Sequence, residues 1–287
     1  RFTCVDSDKG FPCNLAAMAG RMQGVWEDSA ASARLVAVAS ATVSLSTSLF
    51  GSMLGPLALL APPCSVLTVA RRGYFWTVPF SFLGQNLPFG PAWLFFALQL
   101  YIFLVHVAPR ERQLGSSSFL AWLLIANTLV NVMFLSFMSV LLMLDGGYAA
   151  VPCEGLWPVI IVAMTVKSLA RPEDVVSIFG FEVTSKRVPL LLTAFLTLLR
   201  GQLLWDFLAA LAVGYAHERI GLDRLVQGPT FKRWMGKLAF RRIDSILGGK
   251  WLGPSDLWQT PDAESGRGGG SQGSGFHSFY RPSGANA

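Results

Sequence analysis

The sequence predicts an all-α polytopic membrane protein with six transmembrane helices, and three observations carry that prediction. The 287 residues are 52% apolar and only 14% charged, with a mean hydropathy of +0.47, too little charge to cover the surface of a soluble domain of this length. Several runs approach or exceed the roughly 18 apolar residues that read as a membrane-crossing helix. The Lys and Arg residues gather on one side of those runs, as the positive-inside rule requires.

The first span runs from Leu35 to Ala61, after a polar segment 1–34. The second is 92–108 ("AWLFFALQLYIFLVHVA") and the third, 119–144, is uninterrupted. The fourth, 156–170, is short and carries Lys167, whose stem can carry its charge to a headgroup. The stretch 188–215 is broken at "RGQ" by Arg200, Gly201 and Gln202. It reads either as one tilted helix or as two short helices with a tight turn, each half reaching only about 20 Å of the ~30 Å hydrocarbon core.

Charge decides between those readings. With six spans, four Lys/Arg precede the first, two lie at Arg110 and Arg112, four flank the fourth-to-fifth connection and ten follow the sixth. Only Arg71, Arg72 and Arg200 fall on the other face. Five spans would divide the charges almost evenly. Six spans put both termini on the positive face, whether cytoplasmic, matrix or stromal. The chain begins at Arg1, which a cleaved targeting peptide or a truncation would each explain. The four cysteines lack metal-ligand spacing and read as free thiols, although Cys4 and Cys13 could close a small loop.

The segment "GYFWTVPFSFLGQNLPFGP", Gly73 to Pro91, is too apolar for a surface loop and too broken by Pro79, Pro88 and Pro91 for a span. Within it "TVPFSFLG" (77–84) matches the segment ahead of the second span in the derlins, the non-proteolytic branch of the rhomboid superfamily. "ARPEDVVSIFGFEVTSKRVPLLL" (170–192) is similar through Phe179-Gly180 and Pro189, and "WDFLAALAVGYAHE" (205–218) through Asp206 and Gly214. The chain therefore resembles a divergent derlin over roughly Ala33 to Thr230. The resemblance implies a rhomboid-like six-span bundle, 35–217, with a membrane-embedded first loop. Tyr74, Phe75, Trp76, Phe80, Phe82 and Gly84 would form that loop, the aromatics suited to the headgroup zone. Irregular backbone at such depth must pack on protein, so the loop should lie on the bundle. An ordinary loop with aromatic anchors is the plainer alternative. Two departures stand out: Tyr74-Phe75 occupies the place of the derlin Trp-Arg, and Tyr215 that of the final-span His.

Rhomboid proteolysis needs a serine in a Gly-x-Ser setting atop the fourth span and a histidine on the sixth. The fourth span offers only Ser168, after Lys167 at the membrane exit. "LGSSS" (114–118) precedes the third span, on the wrong face, and His217 lies two residues past the family position. No enzyme activity is expected. Within the spans, Asn127 and Asn131 share a helix face at i, i+4. They would either bond within the bundle, at about 1 kcal/mol each, or line a polar path. Arg200 and Asp206 would pair across the fifth-to-sixth turn, because embedded acids are costly unless paired. Gly214 would serve helix packing.

Beyond the bundle, 218–261 is basic and amphipathic. Lys232, Arg233, Lys237 and Arg241 oppose a face that includes Trp234, the pattern of an interfacial helix on an anionic membrane; a partner-binding helix fits almost as well. The tail 262–287 is Gly/Ser-rich. It is loosely similar to the Gly-rich box through which some derlins recruit an unfoldase, without the terminal Arg-Leu. No cofactor or metal is expected beyond bound lipids, and no nucleic acid. The resemblance implies a non-catalytic factor for translocation or degradation of misfolded or imported proteins, in the endoplasmic reticulum membrane, with degradation or translocation machinery as partners. The alternative is a structural subunit of a large mitochondrial or plastid membrane complex.

Overall fold

The computed structural model describes residues 20, 23–50, 63–85, 87, 92–178, 181–201, 203–227 and 252. The interfacial-helix residues Lys232, Arg233, Trp234, Lys237 and Arg241, the Gly/Ser-rich tail, and Cys4 and Cys13 lie outside them.

The fold is mostly helical. α1 is Ala31–Phe50, α2 is Ala92–Leu114, α3 is Ser116–Leu141 and α4 is Trp157–Ala170. α5 is Val188–Arg200, α6 is Trp205–Ile220 and α7 is Leu222–Gln227. Among the described residues α2 and α3, of 23 and 26 residues, are long and apolar enough to cross a membrane. α2 passes through one wider turn at Phe103–Val107. It continues six residues past the end expected from hydropathy, because Pro109 takes a first-turn position and restarts regular helix. Gly115, at φ 81°, then turns the chain directly into α3.

The stretch 188–220 forms two helices. α5 ends where Gly201 adopts a left-handed conformation (φ 62°) that caps it, and α6 starts four residues later. At 13 and 14 residues, α5 and α4 reach only about 20 Å each. An all-helical fold needs one correction. Val175–Ile178 and Phe181–Thr184 pair as an antiparallel hairpin, with Val175 opposite Thr184 and Ile178 opposite Phe181. β-branched residues at both ends of this segment favour strand over helix.

α4 is the centre of the bundle. Trp157 through Ala163 are all buried, as expected of a helix apolar on every side. α6 packs along α4 more extensively than any other pair of elements, and then along α3. Phe103, Phe119, Trp122, Phe134, Met138 and Phe207 fill the space between them. α5 lies at the periphery, exposing Leu190, Leu191, Phe195, Leu198 and Leu199.

Candidate functional site

After α1 the chain re-enters the described residues at Pro63 and makes one helical turn, Thr77–Phe80, followed by a tighter turn, Ser81–Leu83. Such short turns leave carbonyls without helical partners. Asn127 and Asn131 on α3, both fully buried, supply donors. Asn127 Nδ2 donates to Val78 O at 3.0 Å, Pro79 O at 3.0 Å and Ser81 Oγ at 3.3 Å. Asn131 Nδ2 donates to Val78 O at 2.8 Å, Ser81 Oγ at 2.8 Å and Asn127 O at 3.0 Å. Four N–H groups share these six contacts. The pair is thus joined to the first loop: the asparagines' donors are consumed by its backbone and Ser81.

Other polar side chains of the bundle hold the same loop. From α1, Ser44 Oγ and Ser48 Oγ each accept a backbone N–H, from Gln85 and Leu87, at 3.1 Å. Gly155 N donates to Ser81 O and Gly84 O, at 3.1 Å each. Gly155 has φ 77°, and a Cβ there would lie 2.7 Å from Gln85 Oε1, so the close approach requires glycine. Gln99 of α2, with its amide oxygen toward α4, accepts from the N–H groups of Leu156 and Trp157 (2.9 Å for Trp157), while its Nε2 donates to Gln85 at 2.6 Å. That orientation is the one that satisfies both ends of the amide. Finally, Cys64 and Cys153 exchange both backbone hydrogen bonds, at 3.1 and 2.7 Å. Burial pushes the Cys64 thiol up to about 11 against an opposing hydrogen bond from Thr77, and burial raises Cys153 as well, helped by Asp206.

This anchoring turns an aromatic row outward. Phe75 is 69% exposed, and Trp76 and Phe80 are exposed as well, while the half-buried Tyr74 lies 4.8 Å from Trp76 between ring centroids. Phe82 differs from Phe75, Trp76 and Phe80: it is buried in the core at 4%, turned inward at Ser81–Leu83. Gly84 is also buried.

The other end of the bundle carries the charges. Glu111 of α2, fully buried, accepts from the backbone N–H groups of Ser32 (3.1 Å) and Ala33 (2.8 Å) and from the Ser116 hydroxyl. It caps the N-terminus of α1 from a different helix. Ser116, the first serine of "LGSSS", also exchanges hydrogen bonds with the backbone of Leu252. Arg110 donates to both oxygens of Asp223, at 2.6 and 2.9 Å, and stacks over Trp122 at 4.6 Å. Trp122 Nε1 donates to His217 Nε2 at 3.1 Å. With that nitrogen accepting from Trp122 it cannot also donate to Asp223, 3.3 Å away, so Arg110 is the anchor of the carboxylate. Burial raises the Asp223 pKa, and the bidentate Arg110 guanidinium outweighs that and holds it below the usual carboxylate range.

Gly214 faces Thr165 of α4, where an added Cβ would lie 2.6 Å from Thr165 Cβ. Asp206 lies in the first turn of α6 near Cys153; the Arg200 side chain lies outside the described residues. Ser168 is buried near the end of α4, and no distance joins it to His217. Phe95, Trp157, Leu196, Leu199 and Phe207 line an apolar groove of about 90 Å³ among α2, α4, α5 and α6. The sequence reading passed over Glu111, Gln99, Ser44 and Ser48; the available signal was a polar side chain inside an apolar run, which was applied only to the asparagines, Arg200 and Asp206. Comparison with protein-family models, curated proteins and solved structures finds no match.

Proposed function

We propose that this chain is a non-catalytic, derlin-like membrane protein of rhomboid-like fold that thins an organellar bilayer and eases the passage of misfolded or imported proteins. The observation that carries the reading is the placement of short apolar helices beside an aromatic first loop. α5, at the periphery, reaches about 20 Å against a hydrocarbon core of ~30 Å, and a short span facing lipid would thin the bilayer around it; α4, equally short, is enclosed by its neighbours. Phe75, Trp76 and Phe80 face outward from the same bundle, where aromatic side chains would sit among headgroups. The non-catalytic reading draws support from His217, whose Nε2 is engaged by Trp122 and Arg110 rather than by a serine.

A second reading, a structural subunit of a large organellar membrane complex, is favoured by the groove among α2, α4, α5 and α6. Its lining is mostly apolar, which suits a packed neighbour or a lipid chain better than a polar polypeptide. Purification of the tagged protein in mild detergent, followed by a native gel and mass spectrometry, separates the two. Sub-stoichiometric recovery with ubiquitin ligases and an unfoldase supports translocation. Stoichiometric recovery within one large complex overturns it in favour of the subunit.

A further inference from the structure

We propose that Cys64 and Cys153 are joined as an intramolecular disulfide that fastens the first loop to the segment entering α4. Each residue donates its backbone N–H to the other's carbonyl, at 3.1 and 2.7 Å, as an isolated antiparallel bridge. In such a doubly bonded antiparallel pair the Cα atoms stand about 5.5 Å apart, within the range a disulfide spans, although the Cβ atoms of a hydrogen-bonded pair must draw about 1 Å closer for the bond to form. Both cysteines are free thiols in the structure and fully buried.

The topology places the pair in a compartment that permits oxidation. Cys64 follows the C-terminal end of α1 and Cys153 that of α3, so both lie at the end of the bundle opposite Glu111 and Arg110, whose contacts hold the N-terminal ends of those helices. With both termini on the positive face, this is the face carrying few Lys and Arg residues, the lumenal or intermembrane side, where disulfides persist. The exchange runs through a thiol–disulfide oxidoreductase. One cysteine thiolate attacks its disulfide to give a mixed disulfide, and the second displaces the oxidoreductase sulfur. The two cysteines lose two protons and two electrons to form the Sγ–Sγ bond, and the oxidoreductase leaves as a dithiol. Because both sulfurs are buried, the exchange precedes closure of the loop on the bundle. The finished bond is then shielded from reduction.

The proposal rests on the membrane orientation expected from the charge distribution, but needs neither translocation nor a complex. The test uses the full chain in its native membrane, acid-quenched, denatured in SDS and treated with polyethylene-glycol maleimide before or after reduction. In a Cys4→Ser/Cys13→Ser background, the expected result is no added mass without reductant and two additions after it. Adding Cys64→Ser should expose Cys153 to labelling without reductant, and Cys153→Ser should do the same for Cys64. Wild-type protein digested without reduction should yield one cross-linked peptide pair containing Cys64 and Cys153. Two additions without reductant, a bond from either residue to Cys4 or Cys13, or a reductant-sensitive dimer would each overturn it.

Discussion

Replacing Gly214 with Ala should pry α6 from α4, the most extensive helix pair in the bundle. The added Cβ would stand 2.6 Å from Thr165 Cβ, 2.9 Å from its Cγ2 and 3.1 Å from its Oγ1. Carbon atoms pack best at roughly 3.5–4.0 Å, so relief requires about 1 Å of local separation. Rotating Thr165 does not help, because the nearest atom is its Cβ. Overpacking of this kind costs about 1–3 kcal/mol, and the better helix propensity of Ala over Gly returns about 1 kcal/mol. The net expectation is a loss of up to about 2 kcal/mol. Moving the glycine to the facing helix gives the control: Thr165→Gly alone should also destabilise, yet the double variant should be less destabilised than the sum of the two by about 1–2 kcal/mol. Unfolding of purified protein in mixed detergent and SDS micelles, followed by far-UV circular dichroism, reads all three. A Gly214→Ala variant more stable than wild type, or strict additivity in the double variant, would refute the argument that contact at this point sets the helix separation.

Asn131→Leu should cost about 1–2 kcal/mol, because it leaves the carbonyl of Val78 and the hydroxyl of Ser81 with fewer donors; hydrogen exchange should rise at 77–83 while α4 keeps its protection. Glu111→Ala removes the acceptor for the N–H groups of Ser32 and Ala33 and should lower stability by about 1–2 kcal/mol, visible as a lower thermal midpoint. Asp223 has a folded pKa below its ordinary value of 3.8, so its contribution is present above that value and is lost as pH falls through the folded pKa. Asp223→Asn should therefore be less stable than wild type at pH 7, and the two should converge on acidification below about pH 4; parallel curves down to pH 3 would remove Asp223 from the acid response.

The helices were largely legible in the sequence because length and apolarity act locally. The break at Gly201 could be read from "RGQ" and from the charge balance together, and the early end of α5 follows from it. The partners of polar side chains were not legible. Asn127 and Asn131 could be placed on one face of α3 by their spacing, but that they meet Val78 and Ser81 depends on how a loop some 50 residues away folds back. The fate of Phe82 was hidden for a related reason: whether an aromatic in a short turn faces lipid or core depends on the phase of the turn, and Ser81, by bonding both asparagines, fixes that phase. Glu111 sits between Arg110 and Arg112, where a count of Lys and Arg alone passes it by, although it faces inward to cap α1 while Arg110 reaches Asp223.

These contacts bear on how the first loop could work. Swinging it away from the bundle would break the bonds from Asn127 and Asn131, those to Ser44 and Ser48, and that from Gly155. At the average of ~0.6 kcal/mol for a hydrogen bond inside a membrane protein, about seven such bonds amount to roughly 4 kcal/mol. An opened loop would then be populated about once in a thousand molecules, before any disulfide at Cys64 is counted. Under the proposed function, a loop held this way would act on lipid by its fixed shape rather than by gating. The outward row of Phe75, Trp76 and Phe80 would stay at one depth while the peripheral α5 draws the bilayer in. On this argument Asn131→Leu, which loosens the loop, should weaken any effect on the membrane in proportion to its loss of stability, whereas a gate would become more active when loosened.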